Sequence, residues 1–187
     1  MSHASHGVLA SLERVLLDTT VIQRRIIQMA EDIERDFAGK ELSVVALMDG
    51  ALFFVADLLR SIDMPIRLFT LTVSSYHGGT TSSGRVQLAQ KLPFDLKARH
   101  VLLIDDILDT GLTLSTVIDR IREESHPETL RTAVLLRKDR ARDCDVNADY
   151  VGFDIADEFV VGYGMDYKGH YRNLPCIGIL NPDNLPS

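Results

Sequence analysis

Cysteine is scarce in this 187-residue chain: Cys144 and Cys176 stand alone, without CxxC spacing. That leaves no basis for a disulfide framework or a zinc knuckle, and a reducing cytoplasm is the expected setting. The six histidines show no HExxH or clustered spacing, so a structural metal site is not expected either. No apolar run reaches the length of a membrane span and no secretory signal pattern is seen, so no membrane partner is expected. Basic charge is also short. Lys and Arg total 20 against 27 Asp and Glu, for a net charge of −7 and a pI near 5.3. This argues against a broad basic face for nucleic acid. Any phosphate site has to be local, built from helix termini, a few Lys and Arg, and a divalent cation.

At 45% hydrophobic the chain has enough apolar residues for one globular domain, with at most a small appended subdomain. Residues 1–6 (MSHASH) read as a frayed tail. Asp18 or Thr19 can cap a helix running to about Phe37, with Ile22, Ile26, Met29, Ala30, Ile33 and Phe37 at helical spacing and Gly39 just beyond. Leu42 to Met48 reads as a buried strand, Ala51 to Ile62 as an amphipathic helix, and Ile66 to Val73 as an alternating strand. Arg131 to Leu136 and Tyr150 to Phe153 add further strands. Strands separated by helices imply the α/β class, a mostly parallel sheet flanked by helices. Ligands in such sheets sit at the carboxyl ends of the strands.

The stretch Val101 to Leu114, VLLIDDILDTGLTL, carries the most information. Val101 to Ile104 is a short apolar run suited to a strand buried on both faces, ending in the adjacent carboxylates Asp105 and Asp106. After Asp109-Thr110-Gly111-Leu112-Thr113 comes a helical pattern with Leu114, Val117, Ile118 and Ile121 on one side. Gly111 permits a tight strand-to-helix turn. The N–H groups of that turn, backed by the helix dipole, attract an anion, and the Thr110 and Thr113 hydroxyls can add donors. Acids beside a phosphate cradle suit a ligand that carries both hydroxyls and phosphate, such as a sugar phosphate.

Two segments break the strand–helix rhythm. Ser74 to Arg85, SSYHGGTTSSGR, is too rich in Gly, Ser and Thr to pack, and reads as a loop that moves when no ligand is bound. Asp157 to Pro175, DEFVVGYGMDYKGHYRNLP, is dense in aromatics and glycine and reads as irregular.

The acidic pair followed by D-[TS]-G-x-T resembles the phosphoribosyl pyrophosphate (PRPP) motif of type I phosphoribosyltransferases. Three further blocks, VSSYHGGTTSSG, YVGF and FVVGYGMDYKGHYRNLP, resemble the catalytic lid and the purine-binding hood of the hypoxanthine-guanine branch. The similarity runs from about Thr20 to Leu180. It implies a single domain over 1–187, with a hood formed mainly by about 157–187 together with the N-terminal segment, and a mobile lid at about 74–86. The implied activity is transfer of the phosphoribosyl group from PRPP to N9 of hypoxanthine and guanine, with Mg²⁺, releasing pyrophosphate. The family's usual dimers or tetramers imply a homo-oligomer.

The resemblance also implies residue roles. Asp105 and Asp106 would meet the ribose hydroxyls directly or through hydrated Mg²⁺, and Asp109 through Thr113, including Thr110, Gly111 and Leu112, would cradle the 5-phosphate. Asp109 takes the place of the general base at purine N7, with Ser75 and Tyr76 closing over the centre. Phe159 would stack on the purine, the Val160 carbonyl would accept from it, and Lys138 would donate to the 6-oxo group. Asp166 would help hold a second Mg²⁺, and Arg172 would bind pyrophosphate. Plainer readings stand beside these: Phe159 as strand core, Lys138 within a solvated charge run with Arg137, Asp139 and Arg140, and Asp166 merely paired with Arg172. A ligand-sensing regulator is the alternative class, and it calls for a DNA-binding module or basic face that this acidic chain does not display.

This chain departs from the family pattern in two places. Asp105 stands where Glu is common. The pyrophosphate loop, built in the family from backbone N–H groups around an unusual cis peptide, here reads Asp49-Gly50 rather than a basic residue before glycine.

Overall fold

The computed structural model of the protein describes residues 8–75, 86–87 and 91–181. A 3-10 turn at Val8–Ser11 leads into β1 (Leu12–Leu17). Helix α1 (Thr19–Asp36) starts at the expected cap, where the Asp18 carboxylate accepts from the Val21 N–H at 3.0 Å. Its buried stripe is Ile22, Ile26, Met29, Ala30 and Ile33, and Phe37 closes it. The chain continues through β2 (Leu42–Met48), α2 (Leu52–Ser61), β3 (Ile66–Thr72), β4 (Ser74–Ser75), β5 (Val86–Gln87), β6 (His100–Leu108), α3 (Leu112–Ser125), β7 (Thr129–Lys138), β8 (Tyr150–Ile155), β9 (Val160–Val161) and β10 (Ile177–Leu180).

Five parallel strands form the main sheet in the order β3-β2-β6-β7-β8. Successive residues of the central strands point to opposite faces. Val44, Ala46, Leu102, Ile104, Ala133 and Leu135 pack against α1 and α2, whereas Val45, Leu47, Val101, Leu103 and Val134 pack against α3 through Leu114, Val117, Ile118 and Ile121. Burial on both faces is why these strands read as unbroken apolar runs. Edge strand β3 lacks the clean alternation expected, with Leu71 as its buried residue. At the opposite edge, Arg25 of α1 donates to the Gly152 carbonyl at 2.9 Å and the Val151 carbonyl at 2.8 Å, so β8 is tied down from outside the sheet.

The structure differs from the sequence expectation in two respects that shape the site. Strand β6 does not stop at the acidic pair. Its ladder with β2 ends at Ala46↔Ile104, yet its ladder with β7 continues through Ile107↔Leu136 to Leu108↔Arg137. Asp105 and Asp106 thus lie within the strand, at the point where one neighbour has left. The 157–175 segment is also not wholly irregular. It contains β9, which joins β10 and β1 in an antiparallel sheet of order β1-β10-β9 over a small core of Val161, Leu174 and Leu180. Among the described residues, no helix is long and apolar enough to cross a membrane.

Candidate active site

The carboxyl ends of β2, β6, β7 and β8 gather most of the residues singled out from the sequence. Asp105 is buried, at 9% exposure, and accepts from the Asp106 N–H at 3.0 Å; Asp106 accepts from the Ile107 N–H at 2.9 Å. Burial pushes the Asp105 carboxyl well above the usual carboxylate range, and the neighbouring Asp106 charge adds to this. Burial raises Asp106 as well, against the hydrogen bonds it accepts and the positive charge of Arg172, which pull it down. Among the described residues neither acid has an ion-pair partner. Two adjacent carboxylates, one buried and one half-buried, with no ion-pair partner and only the more distant charge of Arg172 beside them, fit a divalent cation. No group of three or more His, Cys, Asp and Glu able to hold a metal occurs among the described residues, so a cation here would draw most of its ligands from water and substrate oxygens.

Three residues past the acidic pair, the chain turns into α3. Gly111 is the N-cap, at φ +86°, where a side chain would be strained and would also collide with Val146. Glycine supplies no capping oxygen, so the first-turn N–H groups lack a side-chain cap beyond a long 3.4 Å bond from Leu112 N–H to the Thr110 hydroxyl. Such a helix start can accept an anion. Thr113 lies in that first turn. The turn is held from behind by the Asp143 N–H, which donates to the Thr110 carbonyl at 3.0 Å.

Lys138 ends β7 and is only 10% exposed, which rules out the solvated charge run. Its ammonium donates to Asp109 Oδ2 at 2.9 Å and lies 3.3 Å from Asp157 Oδ1. Arg140 binds the same two acids, Asp109 Oδ1 at 2.9 Å and Asp157 Oδ2 at 3.6 Å. The family resemblance gave Lys138 and Asp109 separate roles toward the purine without pairing them, and Arg140 and Asp157 were not among the expected site residues. Their signal was the position just past strand ends, readable only once the register of β7 on β8 is known.

The loop after β2 closes the other side. The Met48–Asp49 peptide is cis, as the resemblance implied. A side chain at Gly50 would put its Cβ 2.0 Å from Asp106 Oδ2, and one at Gly164 would put its Cβ 1.9 Å from the Gly50 carbonyl oxygen. Three segments therefore meet with no room for a methyl group: the 49–50 loop, the acidic pair and the 162–176 loop. In that last loop Arg172 pairs with Asp166 at 2.8 Å and donates to the Gly164 carbonyl at 2.6 Å, while Asp166 accepts from the Gly169 N–H at 2.6 Å. The Asp166–Arg172 pairing foreseen as the plainer reading is thus present. Phe159 is 58% exposed, so it is no strand core; its ring meets Tyr167 edge-on at 5.9 Å. Val160, in β9, is buried opposite Ile179.

The expected lid falls mostly outside the described residues: Tyr76 is not among them, and Ser75 appears only as backbone paired with Val86. A separate cavity of about 180 Å³ lies between α3, β7 and the 145–149 loop, and none of the expected site residues line it.

The chain is similar to known proteins over most of its length. The family described as phosphoribosyl transferase domain matches residues 15–168. A hypoxanthine-guanine phosphoribosyltransferase of Streptococcus pneumoniae is 41% identical over 172 residues, covering 92% of this chain and 95% of that protein. One from Mycobacterium avium is 42% identical over 177 residues, covering 91% and 87%. Among solved structures, a hypoxanthine phosphoribosyltransferase from Staphylococcus aureus superposes with a TM-score of 0.89 at 38% identity, covering 98% of this chain and 100% of that one. The Trypanosoma cruzi hypoxanthine phosphoribosyltransferase in complex with the product IMP gives 0.84 at 35% identity, covering 92% and 96%. The chain belongs to the phosphoribosyltransferase family, within its hypoxanthine-guanine branch.

Proposed function

We propose that this protein transfers the 5-phosphoribosyl group of PRPP to N9 of hypoxanthine, and of guanine, releasing pyrophosphate and forming IMP or GMP. The observation that supports this reading best is the convergence at the carboxyl end of the sheet of an acidic pair without an ion-pair partner, an uncapped helix start and a lysine bound to a carboxylate. These three fit, in turn, a hydroxylated sugar, its 5-phosphate and a purine that bears an oxo group.

In this mechanism the α3 turn from Asp109 to Thr113 binds the 5-phosphate through backbone N–H groups and threonine hydroxyls. Asp105 and Asp106 accept from the ribose 2- and 3-hydroxyls. The backbone of Asp49–Gly50 and the Arg172 fork bind pyrophosphate, the fork by exchanging part of its bond to Asp166 for phosphate oxygens. Phe159 stacks on the base, the Val160 carbonyl accepts from it, and Lys138 donates to its 6-oxo group. The bond from C1 of the ribose to the pyrophosphate oxygen breaks as N9 bonds to C1. The proton lost from the imidazole ring passes from N7 to Asp109, then to solvent. Charge builds on the ribose as an oxocarbenium-like cation, so Ser75 and Tyr76 are assigned to a lid that excludes water. Asp105, Asp106 and Asp166, completed by substrate oxygens, would hold Mg²⁺, which would supply positive charge beside the leaving pyrophosphate.

The β1-β10-β9 sheet, with the loop from Asp157, is assigned as the hood over the purine. The free Cys144 and Cys176 suit work in the cytoplasm, and the family resemblance supports a homodimer or homotetramer. The test is purified protein with Mg²⁺ and PRPP, offered hypoxanthine, guanine, xanthine or adenine in turn. Rapid nucleotide formation with hypoxanthine and guanine and little with adenine is expected; equal use of adenine, or no transfer, overturns the reading.

A further inference from the structure

The four-membered charge ring at the ends of β6, β7 and β8 has two members, Arg140 and Asp157, to which no role has been given. We infer that Asp157 is a positioning residue that aims the Lys138 ammonium, and through it sets selection for a 6-oxo group. This rests on the reading of Lys138 given above.

The placement begins with strand register. Leu108, the last residue of β6, is paired with Arg137, and Lys138 is paired with Ile155 of β8. The residues that follow each strand end therefore arrive side by side: Asp109 after β6, Lys138 at the tip of β7, Asp157 after β8. The turn that carries Asp157 is fixed on both flanks. Asp139 N–H donates to the Ile155 carbonyl at 2.8 Å, and Glu158 N–H donates to the Ala156 carbonyl at 2.8 Å. Glu158 also holds Arg14 of β1 at 2.5 Å. Asp157 is thus presented on a rigid turn rather than a loose loop.

An ammonium has three donors and no acceptor. Lys138 donates one to Asp109, and Asp157 draws the ammonium as an ion pair at 3.3 Å, which leaves a donor for an incoming oxygen. The lysine stem is long and flexible, and its ordering costs entropy that two fixed partners meet before the purine arrives. Without Asp157, the ammonium would be held by Asp109 alone and drawn toward the proton acceptor instead of the position-six oxygen. Arg140 completes the ring by binding both acids, so neither acid is claimed by Lys138 alone.

The experiment compares Asp157→Ala, Asp157→Asn, Lys138→Met and the Lys138→Met/Asp157→Ala double variant, with hypoxanthine and adenine as bases. Asp157 is half exposed, so the variants should fold, and a thermal melt checks this. Asp157→Ala should raise the hypoxanthine KM by about three- to tenfold, between the range for an exposed ion pair and that for a buried charge-assisted bond, with kcat and the PRPP KM within about twofold of native. The hypoxanthine-to-adenine ratio should fall. Asp157→Asn should recover most of the loss, because an amide oxygen still accepts from the ammonium. In the Lys138→Met background the alanine change should add nothing. Loss of selectivity in Lys138→Met alongside native values in Asp157→Ala overturns the role of Asp157 alone. Equal rises in both KM values, or no rescue by Asn, overturn it in favour of a merely structural part. Full selectivity in Lys138→Met overturns the reading of Lys138 and this role with it.

Discussion

Replacing Gly50 with alanine tests how closely the pyrophosphate loop abuts the acidic pair. The added Cβ would lie 2.0 Å from Asp106 Oδ2 and 2.7 Å from its Cγ. Reaching ordinary contact at 3.4 Å requires a displacement of about 1.4 Å. The loop cannot retreat toward residue 164, where the Gly50 carbonyl is already packed against the Gly164 backbone. Asp106 must yield instead, and turning its carboxylate breaks the 2.9 Å bond from the Ile107 N–H. A hydrogen bond to a charged group is worth about 1.5–3 kcal/mol. The PRPP kcat/KM should therefore fall by roughly ten- to a hundredfold. Gly50 has no positive φ, so alanine adds steric pressure without backbone strain. Gly39→Ala is the matched control: its φ is +74° but its Cβ would meet nothing within 4 Å, so it should lose about 1 kcal/mol of stability and no activity. Initial rates with PRPP varied at saturating hypoxanthine, with thermal melts of both variants, give the answer. A folded Gly50→Ala protein with native PRPP kcat/KM would refute the reasoning.

Asp109→Asn keeps size but loses the proton acceptor, so kcat in steady-state assays should drop about a hundredfold while PRPP affinity holds. Tyr163→Phe removes the hydroxyl that donates to Asp57 and ties the 162–176 loop to α2; urea unfolding should show a loss of about 1.5–3 kcal/mol. Arg25→Met frees the Val151 and Gly152 carbonyls at the β8 edge, which should cost about 1–3 kcal/mol in the same measurement. Removing divalent cations with EDTA should abolish transfer, and added Mg²⁺ should restore it without a change in the melting temperature larger than about 2 °C.

The sequence was most legible where burial is symmetric. Leu42–Met48 could be bounded to the residue because every position through Leu47 is buried, so the strand is one apolar run. Helix α1 was legible because its cap and stripe are local features. Strand β6 was read too short because carboxylates do not look like sheet; only the β7 ladder carries it past Asp106 to Leu108. The β1-β10-β9 sheet was not legible as strands. Its elements are short, β1 is mostly exposed, and its pairs join distant segments, as in Leu12↔Leu180. The candidate site followed the same division. The phosphate turn lies in one continuous segment, whereas the ring of Lys138, Asp109, Arg140 and Asp157 is assembled from three strand ends and shows itself only in three dimensions.

At the carboxyl end of this sheet a purine is to be joined to a phosphoribosyl group and pyrophosphate expelled. The most direct measurement incubates the protein with Mg²⁺, PRPP and isotopically labelled hypoxanthine and quantifies both products over time. The account predicts labelled IMP and pyrophosphate appearing together in a one-to-one ratio. Pyrophosphate released without IMP, or no labelled nucleotide at all, would contradict it.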